Sequence, residues 1–102
     1  MDYLKGLLKE DPQEPFLHYA ICLEIKKGEE DALPSFLNLI RDFPEYLPAY
    51  YQTALLLAEK GEIQQAASIA SDGILLAEKQ NDLHALAELK GLRQDILAGE
   101  YD

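Results

Sequence analysis

Few side chains in this sequence stand at the spacing that metal binding requires. His18 and His84 are isolated, and neither stands at the spacing with another His, a Cys or paired carboxylates that a zinc or two-metal site would need. The acidic run at 29–31 lacks the alternating oxygen ligands and the glycine of a calcium loop, and it suits the start of a helix instead. We therefore predict no metal site.

Nucleophilic side chains also lack the neighbours that would activate them. Ser35, Ser68 and Ser71 fall in predicted helices without an adjacent base, and no glycine-rich phosphate loop or nucleophile elbow is present. Cys22 is the single cysteine, so it cannot form an internal disulfide, and its apolar helical surroundings are typical of a small core residue. The sequence therefore predicts a protein that is not an enzyme and needs no cofactor.

Composition narrows the choice of partner. The 102 residues carry a formal net charge of −10 and an isoelectric point near 4.5. Nucleic acids and anionic membranes are bound by clustered Lys and Arg, which such an acidic chain does not offer. No apolar run is long enough for a secretory signal or a transmembrane helix. We expect an acidic cytoplasmic protein that binds neither nucleic acid nor membrane.

The elements that position these residues form an internal repeat. Two segments match in residue type at a constant offset of 34 positions, with no gap. The matched pairs are Phe16 with Tyr50, Tyr19 with Thr53, Ala20 with Ala54, Leu23 with Leu57, Ala32 with Ala66, and Phe36 with Ala70. The chain therefore contains two copies of one structural unit.

Each copy has the pattern of a helical hairpin. Apolar residues recur at intervals of three and four over its first half, as on one face of a helix. Gly28 and Gly61 follow, with lysine before and acids after, which marks a tight turn between two helices. Second helices are predicted over 30–42 and 62–79, with Pro34 in a first turn, where its missing N–H costs little.

These residues resemble the tetratricopeptide repeat (TPR), and in particular small two-repeat proteins of bacterial type. The pattern is a large residue, a hydrophobic and small pair, a second large residue, and later an alanine, an aromatic and a proline. The first copy meets it with Phe16, Tyr19, Ala20, Leu23, Ala32, Phe36 and Pro44. The second meets it with Tyr50, Thr53, Ala54, Leu57, Gly61, Ala66 and Ala70, where Ala70 replaces the usual aromatic and the closing proline is missing.

The resemblance implies an all-α fold in which antiparallel helix hairpins stack as a short right-handed TPR superhelix. About five helices are expected, with a C-terminal capping helix whose outer side is polar. A single TPR-like domain over 1–102 would comprise an N-terminal cap helix at 1–10, repeats at 13–44 and 47–80, the capping helix at 81–98 and a tail at 99–102.

The resemblance also implies a function, because TPR proteins serve as scaffolds that bind a peptide or a helix in a concave groove lined by the first helix of each hairpin. The positions carried over are Leu17, Ile21, Ile25, Tyr51, Gln52 and Leu55, so this partner-binding groove would be mostly apolar. Members that clamp the acidic tails of chaperones carry Lys, Arg and Asn at such positions, which this chain replaces with apolar residues.

An apolar groove leaves three alternatives open. The C-terminal helix could fold across the groove and fill it, a protein or peptide partner could occupy it, or a second copy of the chain could cover it in a homodimer. The principal prediction is a non-catalytic protein-protein interaction scaffold, and the alternative is a structural homo-oligomer that uses the same apolar face for self-association.

Overall fold

The structure, a computed structural model, describes residues 2–28 and 30–99. These residues form six α-helices and no strand, which confirms the all-helical prediction. The helices are α1 Asp2–Glu10, α2 Pro15–Lys27, α3 Leu33–Asp42, α4 Pro48–Glu59, α5 Ile63–Gln80 and α6 Leu83–Leu97. The count exceeds the five expected because the N-terminal cap is a regular helix of nine residues. Glu29 and the predicted tail beyond Gly99 lie outside the described residues.

The chain divides into two compact units, Met1–Pro44 and Glu45–Asp102. In the first unit α1 packs against α2, and α2 packs against α3. Cys22 of α2 and Phe36 of α3 are buried, and the ring of Tyr19 meets that of Phe36 edge-on, with centroids 6.2 Å apart. Helix α1 has no buried residue, and its leucines Leu4, Leu7 and Leu8 are half-buried.

Helix α3 begins at Leu33, three residues later than the pattern predicted. The side chain of Asp31 accepts a hydrogen bond from the backbone N–H of Leu33 at 3.1 Å, a local turn that competes with helix at this point. Pro34 then falls in the first turn, as expected from its lack of an N–H. Glu30 and Asp31 therefore precede this helix and do not belong to its first turn.

In the second unit α4 and α5 form a close-packed hairpin, and α6 packs against both of them. Close approach is achieved with small side chains, since Ala54, Ala66 and Ala70 are fully buried. Thr53 is also fully buried, and its hydroxyl donates to the carbonyl of Ala49 at 2.7 Å, so burial leaves its polar group paired.

The turns of the second unit use backbone angles that few residues adopt. Gly61, between α4 and α5, has φ of +81°, and Asn81, between α5 and α6, has φ of 57°. Asp82 then caps α6 by accepting from the N–H of Ala85 at 3.0 Å, which is why α6 begins at Leu83. Among the described residues, no helix has the length and apolarity needed to cross a bilayer.

Candidate protein-binding faces

The predicted groove residues of the first unit lie together on α2. Leu17, Ile21 and Ile25 follow one another at intervals of four, so they share one side of the helix, and each is half-buried. Glu14 precedes them and accepts a hydrogen bond from the N–H of Phe16, which begins the helix and sets its register. This α2 face offers apolar surface that the unit itself covers only in part.

Ile21 also borders a cavity of about 290 Å³ between the helices of the first unit. The cavity is lined by apolar and polar side chains, namely Leu8, His18, Ile21, Cys22, Ser35, Asn38, Leu39, Arg41 and Asp42. The ring Nε2 of His18 lies 2.8 Å from the carbonyl oxygen of Pro12, and its ring lies 5.1 Å from that of Phe43. Arg41 is paired with the adjacent carboxylate of Asp42 at 3.0 Å. His18, Arg41 and Asp42 of this cavity are thus engaged with close neighbours.

The predicted groove residues of the second unit lie together on α4. Tyr51, Gln52 and Leu55 are half-buried and occupy one side of that helix. The opposite side carries Tyr50, which is buried, and both burial and the negative charge of Asp72 raise the pKa of its hydroxyl. The two consecutive tyrosines therefore differ in role. Tyr50 packs inside the unit, whereas Tyr51 belongs to the partly exposed side formed with Gln52 and Leu55, which we call the α4 face.

Cys22 and His84, two side chains that could do chemistry, belong to different units. Burial raises the pKa of the Cys22 thiol to about 11, against a weaker opposite effect of a backbone hydrogen bond, so the thiol is protonated at neutral pH. His84 lies 3.3 Å from Glu88 on the surface of α6. Within residues 2–28 and 30–99, no three metal-ligating side chains come together.

One surface was missed by the sequence reasoning. The capping helix was expected to have a polar outer side, yet Leu83 and Leu97 of α6 are 75% and 63% exposed, and Leu75 of α5 is 66% exposed. The signal lay in the sequence, because residues 83, 86, 90, 93 and 97 follow the alternating intervals of three and four that bring side chains to one stripe of a helix.

The described chain consists of short helical hairpins whose apolar faces are partly covered. Comparison with solved structures makes the class specific. A tetratricopeptide repeat domain protein of Salinibacter ruber has a crystal structure that matches with a TM-score of 0.78 and 26% identity, covering 81% of this chain and 96% of that one. A solution NMR structure of a tetratricopeptide repeat domain protein of the same organism matches with a TM-score of 0.81 and 27% identity, covering 89% and 94%.

The chain is therefore a small TPR-like protein. The TPR fold is generally that of a protein-interaction scaffold, and TPR domains are typically non-catalytic. No protein-family model matches the sequence, and no curated protein matches it at a significant level.

Proposed function

We propose that this chain is a cytoplasmic, non-catalytic scaffold that binds a peptide or helix of a partner protein. The contacts would be made by the α2 face, Leu17, Ile21 and Ile25, and by the α4 face, Tyr51, Gln52 and Leu55. The observation that carries the proposal is that these six side chains are all only partly covered. All six side chains are half-buried, whereas the opposite side of α4, with Tyr50, Ala54 and Leu57, is buried in its unit. Apolar side chains that are held in place but only partly covered are suited to bury further area against a ligand.

The test begins with a peptide selected from a random library on the wild-type protein. We expect Leu55→Asp on α4 to weaken its binding at least about tenfold, because a carboxylate would have to be desolvated in an apolar contact. Gln65→Asp on α5 adds the same charge at an exposed position and should leave binding unchanged. Helix content measured by circular dichroism separates lost binding from lost folding.

The same peptide tests whether both faces serve one ligand. We expect Leu17→Asp on α2 to weaken its binding as Leu55→Asp does. If only one of the two variants affected binding, the peptide would contact a single face, and the proposed role of the other face would be wrong.

Self-association is the outcome that would replace this proposal. Light scattering over a range of concentrations gives the mass in solution, and a dimer that dissociates with Tyr51→Glu would assign the α4 face to a second copy of the chain. A constant monomeric mass, together with the expected loss of peptide binding, supports the scaffold.

A further inference from the structure

One flank of α6 carries a stripe of five residues that we call the α6 seam: Leu83, Leu86, Lys90, Arg93 and Leu97. Their intervals of three, four, three and four are those of the a and d positions of a coiled-coil heptad. The seam lies on a flank of the helix, beside the buried side that is formed by Leu89, Leu92 and Ile96. Leu83, Lys90 and Leu97 are exposed, while Leu86 and Arg93 are half-buried.

The seam extends onto the neighbouring helix of the same unit. The guanidinium of Arg93 donates to the hydroxyl of Ser71 on α5 at 3.3 Å, which places these two sides of α5 and α6 together. Leu75 is one turn further along α5 from Ser71 and is 66% exposed. A shallow depression of about 500 Å³ is lined by Lys90, Arg93, Gln94 and Leu97. The binding surface therefore comprises the α6 seam, the depression beside it and Leu75 of α5, and it is broad enough to contact a helix.

The charges of α6 are sorted around the helix. Lys90 and Arg93 lie in the seam, whereas Glu88 and Asp95 each stand two residues away from one of them and so point to the other side. Glu88 is engaged there with His84. Within the described residues, no carboxylate lies at ion-pairing distance from Lys90 or Arg93. In a chain with a net charge of −10, the seam is thus a local positive site between apolar ends.

The length and spacing of the α6 seam indicate which kind of partner it would bind. The stripe from Leu83 to Leu97 is about 21 Å long, the length of a helix of four turns, and heptad spacing is complementary to another helix rather than to an extended peptide. A second copy pairing in parallel through the same seam would set Lys90 and Arg93 against the same two cations. An antiparallel copy that matches Leu83 with Leu97 would set Lys90 against Lys90 and Arg93 beside Leu86, so like charges or an unpaired cation would oppose pairing in both cases.

We propose that the α6 seam binds an amphipathic helix of another protein, with apolar side chains at both ends of its contact stripe and carboxylates at the centre. The carboxylates pair with Lys90 and Arg93, and the apolar ends cover Leu83 and Leu97. This second binding surface does not depend on the α2 and α4 faces, and it lies entirely within the second unit.

The probe is a synthetic helix of about three heptads. Its terminal a and d positions are leucine and its central a and d positions are glutamate; a control peptide carries lysine at the central positions. We expect the glutamate peptide to bind the wild-type chain at least about tenfold more tightly than the lysine peptide, as measured by fluorescence anisotropy.

Variants of the protein locate the contact. Lys90→Glu should weaken the glutamate peptide about tenfold, whereas Lys79→Glu, the same change at an exposed lysine of α5, should not. The double variant Lys90→Glu/Arg93→Glu should reverse the preference and bind the lysine peptide. Leu83→Asp should weaken both peptides, and Leu55→Asp on the α4 face should weaken neither.

Several results would overturn the proposal. These are equal binding of the two peptides, no binding up to ~1 mM, a preference that survives the double charge reversal, or loss of binding in Leu55→Asp. A self-associated chain that becomes monomeric with Leu83→Asp would assign the seam to a second copy and would contradict the proposal equally. Whether the peptide selected from the random library loses binding to Leu55→Asp has no bearing on this outcome, so each proposal can fail without the other.

Discussion

Gly73 lies where three helices of the second unit approach one another closely. A Cβ atom at this position would lie 2.9 Å from the Cβ of Tyr50 on α4 and 3.1 Å from a methyl of Leu89 on α6. The glycine is buried among them, so three helices depend on the absence of one methyl group.

We therefore expect Gly73→Ala to lower the free energy of unfolding by about 1–3 kcal/mol. The Cβ of Tyr50 is bonded directly to the backbone, so the backbone of α4 must shift to admit the new methyl group. Gly91→Ala is the matched control, since Gly91 is also within a helix and has no atom within 4 Å of the added Cβ. That change should raise stability by about 0.5–1 kcal/mol through helix propensity alone. Urea denaturation measures both, and equal effects would show that the close approach at Gly73 is not limiting.

The buried thiol of Cys22 gives a second prediction at this scale. Its pKa is about 11 in the folded chain against an ordinary value of 9.0, so the folded state holds the proton over that interval. The free energy of unfolding should accordingly be unaffected by this group below pH 9 and should fall as the pH rises from 9 to about 11. The Cys22→Ala variant should show a shallower decline over this range, which is measured by urea denaturation at each pH. Tyr50 titrates in the same direction in both proteins and so cancels in the comparison.

At the scale of the elements, the two turns within the hairpins look alike in sequence and differ in backbone conformation. Both have lysine before a glycine, yet Gly61 has φ of +81° whereas Gly28 has φ of −78°. Gly61 donates to the carbonyl of Ala58, and Glu62 donates to that of Leu57, which ends α4 and turns the chain toward α5.

Alanine at the two glycines separates these cases. Gly61→Ala should cost about 1–2 kcal/mol, because a side chain strains the left-handed conformation even though open space surrounds it. Gly28→Ala should be neutral or raise stability by up to about 1 kcal/mol, since its φ suits alanine and its nearest contacts are at 3.6 Å. Thermal melting followed by circular dichroism compares them, and a loss at Gly28 as large as that at Gly61 would contradict this account.

At the scale of the whole molecule, the dominant feature is charge. With a net charge of −10 on 102 residues, the electrostatic repulsion energy is higher in the folded chain than in the unfolded chain, because folding brings the carboxylates together. Raising the salt from ~10 mM to ~0.5 M shortens the Debye length from about 30 Å to about 4 Å. We expect the melting temperature to rise over this range, equally in NaCl and KCl. A melting temperature that falls would mean that attractive ion pairs outweigh the repulsion.

Much of the architecture could be predicted from sequence because it depends on local periodicity. The repeat of 34 residues follows from the recurring pattern of residue types. The turn at Gly61 and the place of Pro34 in a first turn follow from the conformations that glycine and proline allow. The late start of α3 could not be predicted, since the side chain of Asp31 competes with the backbone there by a single hydrogen bond.

The sequence by itself determined that this chain is all-helical, acidic and TPR-like, because helix periodicity, turn residues and net charge are properties of neighbours along the chain. Only the tertiary structure decided which apolar side chains are covered. Leu89 and Leu97 belong to the same helix and the same residue type, yet one is 1% and the other 63% exposed, since burial depends on what the other helices bring to each side. For the same reason, the sequence could indicate the stripe of α6 by its spacing, but only the structure decided that Leu83 and Leu97 are exposed and that no described carboxylate lies at ion-pairing distance from Lys90 and Arg93.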